Sequence, residues 1–183
     1  MRRQIREVRA NRHQQHRREA LARKRVITVS DLSDLQREDI HTRAQFSTSH
    51  KSGLTAELIQ LGKEALQYTN EFRAEHKLPP LQWHQALCEI GYEHSRNMGE
   101  GKAPFSHDGF DQRVQQYPFP YRSAAENLAM NSGVSHAARA AVKGWIDSPG
   151  HRKNLLGRQT FCGIGVYCNA RGAFYFTQLF GLL

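Results

Sequence analysis

Long apolar runs are missing from this 183-residue chain, and no stretch approaches the roughly 18 apolar residues of a membrane-spanning helix. Met1-Arg2-Arg3 is not followed by the apolar segment of a secretory signal, so neither membrane insertion nor classical secretion is expected. Arg2 stands where N-myristoylation needs glycine. Glu7, Glu19 and the shortage of apolar residues argue against a mitochondrial presequence. Cysteine is scarce and odd in number: Cys88, Cys162 and Cys168. Cys162 and Cys168 fall in one expected strand, where six residues separate them by about 20 Å, too far for a disulfide. Three buried or half-buried thiols in a reducing intracellular compartment are expected: cytoplasm, cytoskeleton or cilium, or mitochondrion.

Acidic residues are nearly absent from the first 25 positions. That segment carries Arg2, Arg3, Arg6, Arg9, Arg12, Arg17, Arg18, Arg23, Lys24 and Arg25 against Glu7 and Glu19, a net charge of +8 out of +9 for the whole chain. Residues 26–183 hold 16 basic and 15 acidic side chains, so the basic character belongs to the arm. Ile5, Val8, Ala20, Leu21 and Ala22 are too few to build a packed face, and the arm is expected to be extended on its own. A β-prone run at 26–29, a short capped helix near 30–35 and a Ser/Thr/Gly linker at 47–53 follow.

From residue 54 onward the patterning changes to that of a folded domain. Leu54, Leu58, Leu61, Ala65, Tyr68 and Phe72 recur every three or four residues and predict an amphipathic helix, stopped by Leu78-Pro79-Pro80. A second helix is expected from Trp83 to Met98, and a third from Ser135 to Trp145, broken by Ser148-Pro149-Gly150. Residues 161–168 and 173–179 flank Asn169-Ala170-Arg171-Gly172 and read as an antiparallel hairpin. Helices around a central antiparallel sheet give an α+β domain.

Four motifs then occur in order: Phe105-Ser106-His107-Asp108-Gly109, Ala125-Glu126-Asn127-Leu128, Trp145 through Ser148-Pro149-Gly150-His151-Arg152, and Phe176-Thr177-Gln178. Together they resemble the CAP superfamily of cysteine-rich secretory, antigen 5 and pathogenesis-related proteins, in the form common among bacterial and some intracellular members. The resemblance spans 54–183 and leaves 1–53 as arm and linker. It implies a three-layer α-β-α sandwich and a cleft lined by histidines and glutamates, sometimes with a divalent metal.

By that resemblance His107 and Glu126 take the first histidine and glutamate positions. Tyr175 or a neighbour stands where many members have a second histidine, Ser148 stands at the second glutamate position, and His151 follows one turn on. Two imidazoles and a carboxylate could hold zinc with open positions, or form a structural hydrogen-bond network. No nucleophile sits in an activating context; Ser106 merely adjoins His107. His84, His94 and His136 are read as packing or surface residues, Trp145 as a core anchor, and Asn127 as tying a loop after Glu126. Gly163 and Gly165 are expected to permit close packing on their strand. Phe174, Tyr175, Phe176 and Phe180 are expected to alternate between core and cleft, with lipid or sterol binding as an alternative suggested by the family.

Arginine forks suit phosphates and paired carboxylates, so the arm points to a polyanionic partner, either RNA or an acidic protein lattice such as a microtubule. The arm has no aromatic residue for base stacking. The functional expectation is a non-enzymatic adaptor or structural component of an intracellular assembly. The alternatives are a secreted or organellar lipid- or metal-binding protein and, third, a metal-dependent hydrolase.

Overall fold

The computed structural model describes residues 53–183, and the expectations for the arm, the β-prone run, the short helix and most of the linker lie outside the described residues. In chain order the elements are α1 (Ala56–Glu75), β1 (Gln82–Trp83), α2 (Gln85–Gly99), α3 (Phe110–Val114), β2 (Ser123–Ser132), α4 (Ala137–Asp147), α5 (Pro149–Leu155), β3 (Phe161–Cys168) and β4 (Ala173–Leu182). Among the described residues no helix is long and apolar enough to cross a membrane.

Local chemistry sets the limits of α1. The Thr55 hydroxyl accepts from the Leu58 amide at 3.4 Å and caps the first turn. At the other end the chain leaves the helix before Pro79 and Pro80, which cannot supply the amide that another turn needs. Arg73, almost fully buried, then donates to the carbonyls of Pro79, Leu155 and Gly157, tying the end of α1 to the end of α5.

The sheet order is β1-β3-β4-β2. Its three long strands are antiparallel, as expected, whereas the two-residue β1 pairs parallel with β3. Strand alternation divides β3 between two faces. Cys162, Ile164 and Val166 pack with Leu58, Ala65 and Phe72 of α1 and with Ala141, Val142 and Trp145 of α4. Gly163 and Gly165 face α2, whose backbone comes so close that a Cβ at Gly165 would meet the Tyr92 amide nitrogen. Two helices, a sheet and a third helix make the α-β-α sandwich. By the same alternation Phe174, Phe176 and Phe180 lie on the core side, Phe176 and Phe180 fully buried and Phe174 half-buried, while the half-buried Tyr175 falls on the opposite face with its ring beside Phe105.

Two local readings are corrected. Glu126 and Asn127 lie inside β2 and not beside a loop; each pairs across to β4, with Leu179 and Gln178 respectively. Ser148-Pro149-Gly150 ends α4 but also starts α5, with Pro149 in the first turn, where its missing amide has no helical partner to lose.

β2 lies at the edge of the sheet, where strand carbonyls normally face outward unpaired. Here the Trp145 indole donates to the Leu128 carbonyl at 2.9 Å, and Asn154 donates to the Glu126 carbonyl at 3.1 Å. Trp145 is thus a core anchor and also closes the open side of the sheet.

Candidate functional site

The site forms where the segment before α3, the middle of β2 and the first turn of α5 meet. Gly109 adopts a left-handed conformation, φ 77°, that turns the chain from the His107 segment into α3. One turn on, Arg113 points back under that segment. Its Nε donates to Glu126 Oε2 and its Nη2 to Oε1, both at 2.7 Å, in a two-pronged fork. The same guanidinium donates to the carbonyls of Asp108 at 2.9 Å and His107 at 3.4 Å. All of this is enclosed: the Glu126 side chain is 2% exposed and that of Arg113 9%.

His107 completes the cluster from the solvent side. Its Nδ1–H donates to Glu126 Oε1 at 2.8 Å, and its side chain is 53% exposed. The His151 ring lies 6.5 Å from that of His107, centroid to centroid. α5 is held there by Asn127 and Asn154: Asn154 donates to Asn127 Oδ1 at 2.9 Å, and Asn127 donates to Gln178 Oε1 at 3.0 Å and to the His151 carbonyl at 3.3 Å. The structure therefore brings His107, Glu126 and His151 together and adds Arg113, Asn127 and Asn154 around them. The Tyr175 ring lies 6.4 Å from that of Phe105, and its backbone is opposite Met130. Ser148 serves as the residue that opens α5.

Of the other histidines, His94 is buried on α2 and donates from Nε2 to the Ser106 carbonyl at 3.0 Å, supporting the loop that carries His107. His84 packs its ring against Phe119 and Phe161, and His136 is exposed at the start of α4. Burial, reinforced by the charge of Arg113, holds the His94 pKa below the ordinary imidazole value. Burial and then the neighbouring His107 do the same for His151. A lowered folded pKa means that the unfolded chain binds protons more readily, so this contribution to stability is complete above about pH 6.5 and is lost as pH falls through the folded values. Thermal melting against pH is expected to show a decline below about pH 6.5, and His94→Gln, which can still donate to Ser106, is expected to make that decline shallower.

The expected zinc set of two imidazoles and a carboxylate is not assembled, because Glu126 is not available as a ligand: both its oxygens are engaged by Arg113, one of them also by His107. Among the described residues no three His, Cys, Asp or Glu side chains are gathered so as to hold a metal ion. Nor, among them, does a serine, threonine or cysteine side chain hydrogen-bond an imidazole; the Ser106 hydroxyl accepts from the Asp108 amide instead. The cysteines are free, and burial pushes the Cys88 thiol up to about 12.

A separate groove of about 430 Å³ lies between α1 and α4, floored by Phe72, Val142 and Ile146, with Glu71, Arg139 and Lys143 among its polar residues. This is within the range of small-molecule sites.

The fold and the ordered motifs agree with the comparisons. The signature of the cysteine-rich secretory protein family, CAP, matches residues 66–180, and the chain belongs to that family. It is similar to the uncharacterized membrane protein YlbC of Bacillus subtilis, 36% identical over 110 residues, covering 57% of this chain and 31% of YlbC. It is also similar to the uncharacterized protein YkwD of the same organism, 30% identical over 125 residues, covering 65% of this chain and 46% of YkwD. Among solved structures, an extracellular protein containing a SCP domain from Bacillus anthracis superposes with a TM-score of 0.59 at 31% identity, covering 73% of this chain and 45% of that one. The chain spans less than half the length of these relatives.

Proposed function

We propose that this protein is a non-enzymatic CAP-domain component of a larger assembly, with a rigid domain presented by an Arg-rich arm that binds a polyanionic surface. The observation that carries the reading is the Arg113–Glu126–His107 cluster. Its carboxylate is fully committed to a guanidinium and an imidazole, and no nucleophile adjoins it among the described residues, so the site offers positioning and contact rather than bond-breaking chemistry. The arm supplies the attraction: its net +8 suits RNA or an acidic protein lattice, and the free thiols suit a reducing intracellular setting.

Deleting residues 1–25 removes charge and almost no apolar material. The deletion is expected to leave thermal melting of the domain unchanged and to abolish recovery of the partner in a pull-down analysed by mass spectrometry. Binding by the full chain should fall steeply with salt; if the partner is RNA, the slope of log K against log salt follows the number of phosphates contacted. Changing the arginines to lysine should weaken binding at constant charge because the two-pronged contacts are lost. Unchanged affinity of the deleted protein from low to high salt would move the anchor to the CAP domain.

A second reading, a secreted or organellar lipid-binding protein, is favoured by the groove between α1 and α4 and by the description of the Bacillus anthracis relative as extracellular. Lipid extracted from the purified full chain, and displaced when Ala140→Trp fills the groove, would support it over the adaptor reading.

A further inference from the structure

We infer that Arg113 is a built-in counter-cation that keeps Glu126 from serving as a metal ligand and sets His107 as a hydrogen-bond acceptor toward solvent. The inference stands independently of the adaptor role, since it concerns only the described domain. Zinc that used Glu126 as a ligand would need a free carboxylate oxygen at about 2 Å. In this chain the Arg113 fork already holds the two carboxylate oxygens at 2.7 Å, and its remaining donors fasten the Asp108 and His107 carbonyls. A second cation at Glu126 would have to displace that fork within an enclosed site, leaving a guanidinium buried without its counter-ion.

The same arrangement determines which nitrogen of His107 carries the proton. An ionised carboxylate only accepts hydrogen bonds, so the contact at 2.8 Å requires the proton on Nδ1. In the neutral ring Nε2 is then bare, on a side chain that is 53% exposed. Arg113 is a positioning residue here: it fixes the carboxylate that fixes the imidazole. What the cleft offers a partner is a lone pair that takes a hydrogen bond from a hydroxyl or amide.

The test uses the full chain, zinc titration and nitrogen-15 NMR of the histidine rings above their titration range. His107→Gln assigns the signals. The expected result is a His107 ring with protonated Nδ1 and bare Nε2. A proton on Nε2 in the unmodified chain would overturn the proposal. Arg113→Met, where it folds, is expected to bind zinc at least tenfold more tightly than the parent and to shift the His107 signals on zinc addition; a folded variant with no gain would overturn the role given to Arg113. If that variant does not fold, the nitrogen-15 measurement on the unmodified chain still decides.

Discussion

Arg113→Met is expected to lower folding stability by about 3–5 kcal/mol, the cost of leaving one member of a buried ion pair without its partner. Glu126 has only 2% of its side chain exposed, so water cannot replace the lost fork, and the Asp108 carbonyl loses its donor in the same change. Glu126→Gln is expected to be similarly damaging despite its matching shape. In either orientation the amide places an N–H against an arginine N–H, because Nε and Nη2 each address a different carboxylate oxygen. His107→Gln, by contrast, alters a half-exposed residue and should cost far less. Chemical denaturation of the three variants checks the ranking. Equal, small losses would mean that the cluster is a surface ion pair in energetic effect.

Gly165→Ala is the second substitution with a large expected effect. Its new Cβ would fall on the backbone of α2 at Gly91 and Tyr92, and backbone cannot swing aside as a flexible side chain can. A loss of about 3 kcal/mol is expected, at the upper end for overpacking, because α2 must lift from the sheet as a unit. The control is Gly144→Ala on the exposed face of α4, where an added Cβ meets nothing within 4 Å. There the expected change is a gain of up to about 1 kcal/mol from helix propensity alone. Parallel thermal melts should therefore move in opposite directions for the same one-methyl substitution.

The elements that were legible in the sequence were those whose own composition declares them. Leu58, Ala65 and Phe72 mark α1 by their spacing, and the aromatic-rich 173–179 run with its Asn-Ala-Arg-Gly turn marks β4 and the hairpin. β2 was not legible, since Ser123–Ser132 contains no β-branched residue. Its conformation is imposed from outside by ten pairs with β4 and by Trp145 and Asn154 on its free side. Within the site, His107, Glu126 and His151 could be named from motifs. Arg113 could not, because a single arginine in Asp111-Gln112-Arg113 looks like ordinary solvated charge. The left-handed Gly109 turns the chain there, and Glu126, on a separate strand, gives the arginine its charged partner. The signal that existed was its place beside Val114 at the end of a short helix: both side chains are buried there.

The sulfur atoms carry a kinetic consequence. Cys88 and Cys162 are fully enclosed, burial pushes the Cys88 thiol up to about 12 and also raises the half-buried Cys168, so the thiolate is scarce at pH 7. Alkylating reagents and oxidants attack thiolates, and Cys162 is screened by the Gln178 amide as well as by the sheet. Modification of these two positions must therefore wait for the sandwich to come apart. Cys88 and Cys162 act as an internal clock for that opening: uptake of label by Cys88 measures how often α2 lifts from the sheet, and uptake by Cys162 how often α1 and α4 leave its other face.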